Sequence, residues 1–234
     1  MYKRIILKIS GEALAGGQSH VTFFQPVIEE LIRQIGVVLQ KGTQICIVIG
    51  GGNFWRGRSV DAQMDRTKAD QIGMLATVMN AIYVADALGQ KGISAVVQTP
   101  FAVGTMTELF SKERALAHLQ QGRVVIFAGG LGHPFFSTDT ITALRGAELD
   151  ADGLFFAKNI DGVYDSDPAV NANAKKIDCI KSADIVKNNL KVIDMAAANL
   201  CFERKIPVVI FGLNETDSII RAVNGEKIGT VVTA

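Results

Sequence analysis

Ile45-Cys46-Ile47-Val48-Ile49 is an apolar, mostly β-branched run, and Gly50-Gly51-Gly52 stops it. The run does not alternate polar with apolar residues. A strand of that kind is buried on both faces, as in a parallel sheet covered by helices on either side. Working outward, the same signature recurs at residues 5–9, 94–98, 124–127, 154–157, 208–211 and 230–233. Helical patterns fill the gaps. Pro26 suits a first turn, and Val27, Ile28, Leu31, Ile35, Val38 and Leu39 form one apolar stripe before Gly42. Ser111 is placed to cap a helix that stops at Gly122, and further helices are expected over 139–149, 194–204 and 217–223. This rhythm predicts an α/β fold with a largely parallel sheet and right-handed crossovers.

The helix expected over 69–88 is unusual. Ile72, Leu75, Met79 and Ile82 fall on one face, and Met74, Val78, Ala81 and Ala85 on another. A helix that is apolar all round must be covered all round. Either the chain encloses it, or it is shared between its own sheet and a second subunit.

Composition narrows the class. The chain has 234 residues, 48% hydrophobic and 20% charged, which excludes disorder and predicts one domain. Cys46, Cys179 and Cys201 share no metal-ligand spacing and read as small buried apolar residues in a reducing compartment. A net charge of +1 provides no general attraction to nucleic acid or membrane. Lys8 cuts the N-terminal apolar run short, and no stretch approaches the roughly 20 apolar residues of a membrane span. A soluble, cytoplasmic protein is expected.

In open α/β sheets ligands bind beyond the carboxyl ends of the strands. Lys8-Ile9-Ser10-Gly11-Glu12 follows the first strand. An ammonium beside a small turn suits a phosphate, although a surface lysine before an ordinary turn reads the same way. Gly50-Gly51-Gly52-Asn53-Phe54-Trp55-Arg56-Gly57 follows the second. Three glycines permit close backbone approach and positive φ, and Arg56 is spaced for a bidentate phosphate contact. A second glycine loop, Gly129-Gly130-Leu131-Gly132-His133-Pro134-Phe135-Phe136-Ser137-Thr138-Asp139, ends in hydroxyls at a helix start and suits an anion or nucleotide. His133 reads as a loop residue shaping that site rather than a base. The segment from Lys158 to Pro168 either grips a base and ribose or is a turn-rich loop. P-loop, dinucleotide, nucleophile-elbow, zinc-protease and protein-kinase motifs are absent from the sequence.

Several phosphate-type loops over one sheet point to phosphoryl transfer between a donor and an acceptor. At this point the sequence resembles the bacterial UMP kinase family. The resemblance rests on Lys8-Ile9-Ser10-Gly11-Glu12-Ala13, Gly50–Asn53 with Trp55-Arg56-Gly57, and Asp70 with Met74-Leu75-Ala76-Thr77-Val78-Met79-Asn80. It also rests on Pro134–Asp139, Asp161-Gly162-Val163-Tyr164 with Asp167-Pro168, and Leu190–Asp194. It implies the amino acid kinase fold, a three-layer αβα sandwich, as a single domain over 1–234 with the acceptor site in its N-terminal part and the ATP site in its C-terminal part. The activity implied is transfer of the γ-phosphoryl of ATP to UMP, with Mg²⁺ carried by the nucleotide and no direct protein ligand expected for it. GTP activation, UTP inhibition and a homohexamer are implied likewise.

The resemblance also implies roles. Lys8 holds the transferring phosphoryl group, and Ile9, Ser10 and Gly11 cradle the ATP phosphates. Gly51 faces the acceptor phosphate, Gly52 the donor, and Arg56 clamps phosphate. Asp70 takes the UMP ribose. Leu131, Gly132, His133, Pro134, Phe135, Phe136, Ser137 and Thr138 wrap the uridine and its phosphate. Asp139 pairs with Lys8. Asn159, Tyr164 and Asp167 bind the adenosine part, and Asp194 lies near the donor phosphates and magnesium. Leu131 and His133 depart from the family's usual Thr and Asn. The remaining readings are an amino acid kinase acting on a carboxylate or carbamate, and a non-catalytic nucleotide-sensing module.

Overall fold

A computed structural model describes residues 2–18, 20–55, 64–166, 168, 170–187 and 193–233. The chain begins with β1 (Arg4–Ile9), the single-turn α1 (Gly11–Leu14) and α2 (Gln25–Gln40), and β2 (Gln44–Ile49) leads to α3 (Arg66–Gln90). Then come β3 (Ala95–Thr99), β4 (Glu108–Leu109), α4 (Lys112–Gln120), β5 (Val124–Phe127), α5 (Thr138–Glu148) and β6 (Gly153–Lys158). A small hairpin of β7 (Val163–Tyr164) and β8 (Lys176–Ile177) precedes β9 (Cys179–Lys181), α6 (Ser182–Lys187) and α7 (Met195–Arg204). The chain closes with β10 (Val208–Gly212), α8 (Ser218–Val223) and β11 (Thr230–Thr233).

Among the described residues, the main sheet has nine strands in the order β4-β3-β5-β2-β1-β6-β10-β11-β9. Neighbours are parallel except β10 and β11, so β11 and its parallel neighbour β9 run against the rest. The apolar runs are continuous because both faces are covered. Ile5, Leu7 and Ile9 of β1 pack with α2, α3 and α8, whereas Ile6 joins α4, α5, α6 and α7 on the opposite face. The expected three layers are present. The pieces that composition did not reveal are short: α1, α6, β4, β9 and the β7–β8 hairpin. Two to six residues carry too little periodicity to read. Cys46 and Cys201 are buried, and burial pushes both thiols up to about 12. Cys179 corrects the expectation for the cysteines, since it is exposed on β9, the edge strand of the sheet.

Helix α3 is not enclosed by its own chain. Val78, Ala81, Val84 and Leu88 are buried against the sheet, while Leu75, Met79 and Ile82 are 51%, 47% and 37% exposed on the far side. Among the described residues it is the one helix long and apolar enough to cross a membrane, which corrects the expectation that no stretch approaches such a span. Its inner face, however, carries polar groups bonded to this chain's own loops. Asn80 is fully buried, donates to the Gly50 carbonyl at 2.7 Å and exchanges two amide hydrogen bonds with Asn53 at 2.8 and 2.9 Å. Asn80→Ala would strand the Gly50 carbonyl and the Asn53 Oδ1, while the Asn53 Nδ2 keeps its bond to the Thr22 carbonyl. It is expected to lower the unfolding free energy by about 1–3 kcal/mol, read by chemical denaturation.

Candidate active site

The site begins at the centre of the sheet. Lys8 lies opposite Val48 of β2 and Phe156 of β6, so its side chain leaves on the face covered by α5. Ser137 caps α5, its hydroxyl accepting from the Asp139 N–H at 2.9 Å. That cap fixes Asp139 in the first turn, where a carboxylate also suits the helix dipole. The result is an ion pair, Lys8 Nζ to Asp139 Oδ1, at 2.9 Å. Lys8 is only 8% exposed. The ammonium meets Asp139 Oδ1 within hydrogen-bonding distance, so charge and hydrogen bond act together.

Lys158, at the end of β6, approaches the other carboxylate oxygen at 3.8 Å. No role was expected for it. Its place at a strand end was legible in the sequence, but that this strand lies beside β1 was not. Burial would raise the Asp139 carboxyl, but Lys8 and then Lys158 outweigh it and hold the group below its ordinary value. Burial in turn lowers Lys158, and Lys8 adds to that, against the pull of Asp139. Two ammoniums crowded around one carboxylate at the ends of β1 and β6 form a place prepared for an anion.

Asp194 is near this cluster but already committed. It caps α7 through the Ala197 N–H at 2.7 Å, and its other oxygen accepts from Thr140 at 2.8 Å and from Ser137. Its own N–H supports Asp139. Asp194 therefore locks α5 to α7 and positions Asp139.

The two glycine loops differ physically. Gly50, Gly51 and Gly52 all have ordinary backbone angles, which overturns the expectation of positive φ there. Their close neighbours belong to α1 and α3: backbone at Gly50, backbone and Ala76 at Gly51, and the Glu12 side chain at Gly52. A Cβ on Gly51 would lie 2.9 Å from the Gly73 carbonyl of α3, and one on Gly11 2.5 Å from the Gly50 carbonyl. The first two turns and α3 are thus packed against one another. Ile9 is buried in the core, so only its backbone can serve a ligand. In the second loop Gly129, Gly130 and Gly132 have φ of 79°, 59° and 79°, and Phe135 has 73°. That is a strained conformation for an aromatic residue. The Phe135 N–H donates to Asp70 Oδ2 at 2.8 Å, and Arg66 pairs with Asp70 Oδ1 at 2.8 Å.

This loop and α3 enclose a cavity of about 120 Å³ lined by Trp55, Asp70, Gly73, Met74, Thr77, Gly130, His133, Phe136 and Thr138. Asp70, His133, Phe136 and Thr138 are therefore brought together as expected. Leu131 does not line this cavity; its side chain packs on the core beneath α4 and α5. Asn159 lines a different, polar cavity of about 450 Å³ with Glu12, Gly52 and Asn53. Tyr164 stands apart, its hydroxyl donating to Asp161 at 2.8 Å beside Lys176. Arg56, Asp167 and residues 190–192 lie outside the described residues.

The profile of the amino acid kinase family matches residues 3–212. The chain belongs to the amino acid kinase family. Within it, the chain is 46% identical to a uridylate kinase of Streptococcus thermophilus (strain ATCC BAA-250 / LMG 18311), over 99% of this chain and 95% of that relative. Its fold matches the crystal structure of UMP kinase from Bacillus anthracis with a TM-score of 0.94 at 35% identity, covering 99% and 96% of the two chains. UMP kinase from Ureaplasma parvum matches at 0.91 and 32% identity, with both chains fully covered. Uridylate kinase from Archaeoglobus fulgidus matches at 0.76 and 27%, covering 97% and 99%. As an amino acid kinase of this kind, the chain is an ATP-dependent phosphotransferase.

The ion pair has a pH signature. Because the Asp139 carboxyl is lowered in the fold, its stabilisation is complete above the ordinary carboxyl value of about 4. It is lost as pH falls toward the lowered value. Asp139→Asn removes that dependence. Melting temperature measured against pH should therefore fall less steeply below about pH 4 in Asp139→Asn than in the wild type.

Proposed function

We propose that this chain is a UMP kinase: the γ-phosphoryl group of ATP passes to UMP, giving UDP and ADP. The observation that carries the reading is the buried Lys8–Asp139 pair with Lys158 beside it, whose chain neighbours Thr138 and Asn159 line two separate cavities. The whole chain acts as one domain. A phosphate oxygen of UMP attacks the γ-phosphorus, a new P–O bond forms, and the bond to the β-phosphate oxygen breaks as ADP leaves. That oxygen is already largely ionised near neutral pH, since a phosphate monoester has its second pKa near about 6, so no general base is needed. The protein's work is alignment and charge.

Lys8, held in place by Asp139, meets the moving phosphoryl group, and Lys158 approaches from β6. Ser10, Gly11 and Gly52 offer backbone groups to the ATP phosphates, with Arg56 as a further cation. Asn159, Tyr164 and Asp167 serve the adenosine part. On the acceptor side, Asp70 exchanges its Phe135 N–H partner for the ribose hydroxyls. Gly51 and the backbone from Leu131 to Pro134 receive the UMP phosphate with the capped start of α5 at Ser137 and Thr138. Phe135 and Phe136 close over the nucleoside. Mg²⁺ fits this arrangement as a passenger of ATP, because the Asp139 and Asp194 carboxylates are already occupied by lysines and by cap hydrogen bonds. When bound it neutralises phosphate charge.

Turnover of ATP against UMP, CMP, dUMP, glutamate and carbamate tests the reading. UMP is expected to be used best, dUMP poorly because Asp70 loses a ribose hydroxyl, and glutamate or carbamate not at all. Preferred turnover of a carboxylate or carbamate would sink it. Lys8→Ala is expected to lower kcat by roughly 100-fold or more with the fold retained, and a near-normal kcat would remove Lys8 from the chemistry.

We further infer a cytoplasmic homohexamer, activated by GTP and inhibited by UTP. The stripe of Leu75, Met79 and Ile82 supports self-association, since covering it removes apolar side chains from water. Light scattering should give an oligomer for the wild type and a smaller species for Met79→Glu. A stable wild-type monomer of 25.1 kDa would contradict the assembly.

A further inference from the structure

Thr77 lies on the inner face of α3 and is 4% exposed. Its hydroxyl donates to the Met74 carbonyl at 2.7 Å and accepts from the Gly129 N–H at 2.7 Å. A hydroxyl has a single proton, so the roles are settled: the proton goes to Met74 and a lone pair faces Gly129. Gly129 opens the left-handed stretch of the acceptor loop, with φ of 79°. Its environment has no slack, because a Cβ there would sit 3.0 Å from Pro100 and Phe101.

The other end of the loop is held from the same helix. Asp70 accepts from the Phe135 N–H at 2.8 Å. Asp70 and Thr77 are two turns apart on one face, about 10 Å along the axis. Helix α3 therefore grips the loop at both ends, Gly129 and Phe135. Asp70 has a second task at the ribose. Both hydrogen bonds of the Thr77 hydroxyl go to backbone groups, so Thr77 acts through the peptide it holds.

We propose that Thr77 is a positioning residue for the UMP side of the reaction, fixing the first peptide of the acceptor loop in its binding-competent shape. The inference rests on the UMP kinase reading. Without the hydroxyl, a buried N–H loses its partner, and the loop populates conformations that do not hold UMP. Apparent affinity then falls by the fraction of molecules still competent. The Thr77 hydroxyl bond to Gly129 involves none of the side chains assigned to ATP.

Thr77→Val keeps the shape and removes the hydroxyl. Its UMP KM is expected to rise roughly five- to 100-fold, the equilibrium effect of one unsatisfied buried amide, with the ATP KM within about twofold of wild type. Thr77→Ser restores the hydroxyl and should return the UMP KM to within about threefold. Val84→Ala, a pure core change on the same helix, should lose thermal stability yet keep the UMP KM. If Thr77→Val does not accumulate as folded protein, Thr77→Ala is read by the same criteria. An unchanged UMP KM in a folded variant, or equal rises for UMP and ATP, overturns the proposal. Amide hydrogen exchange gives a readout independent of turnover: the peptide containing Gly129 should exchange faster in Thr77→Val than in the wild type. Equal exchange rates overturn the role of Thr77. A wild type that does not turn over UMP overturns the functional reading instead.

Discussion

Everything in this molecule is arranged around an ammonium that has been taken out of water. Lys8 lies at the end of a central strand, 8% exposed, and a charge so placed is tolerable only with a partner. Asp139 is that partner at 2.9 Å, and reaching it requires the first turn of α5 to sit over β1. Ser137 fixes that turn, Asp194 ties it to α7, and Lys158 approaches from the next strand. One pair thus dictates where three elements meet.

Helix α3 supplies the second constraint. Its inner face holds Asp70, Thr77 and Asn80, each bonded to a loop over the carboxyl ends of the strands. Asn80 holds the Gly50 turn, and Thr77 and Asp70 hold the loop from Gly129 to Phe135. The outer face holds Leu75, Met79 and Ile82 in contact with solvent. The same rigid rod presents an apolar stripe outward and sets loop geometry inward. The scarcity of charge along its middle, which gives it the length and apolarity of a membrane span, follows from these two tasks.

The glycine loops separate two uses of one residue type. In the second loop, glycine at 129, 130 and 132 is required by φ, which no amount of repacking would relax. In the first loop, φ is ordinary, and glycine is required because α1 and α3 press against the turn. Both uses read identically as letters. The expected positive φ at Gly50–Gly52 failed for that reason: the demand came from α1, some forty residues upstream, and at Gly51 from α3 downstream.

The amino-acid sequence by itself determined the strands, the long helices and the loops that carry chemistry, because periodicity, caps and glycine placement are local properties. It also pointed to Lys8 and Asp139, through a family resemblance rather than through spacing. Only the tertiary structure decided that Lys158 joins them and that Asp194 spends its carboxylate on caps. It likewise decided that Leu131 faces the core and that Thr77 holds Gly129. These depend on groups meeting across long stretches of chain, as with Thr77 and Gly129, 52 apart, and Ser137 and Asp194, 57 apart. A local pattern carries no record of such a meeting, since it exists only once the sheet has brought the strand ends together.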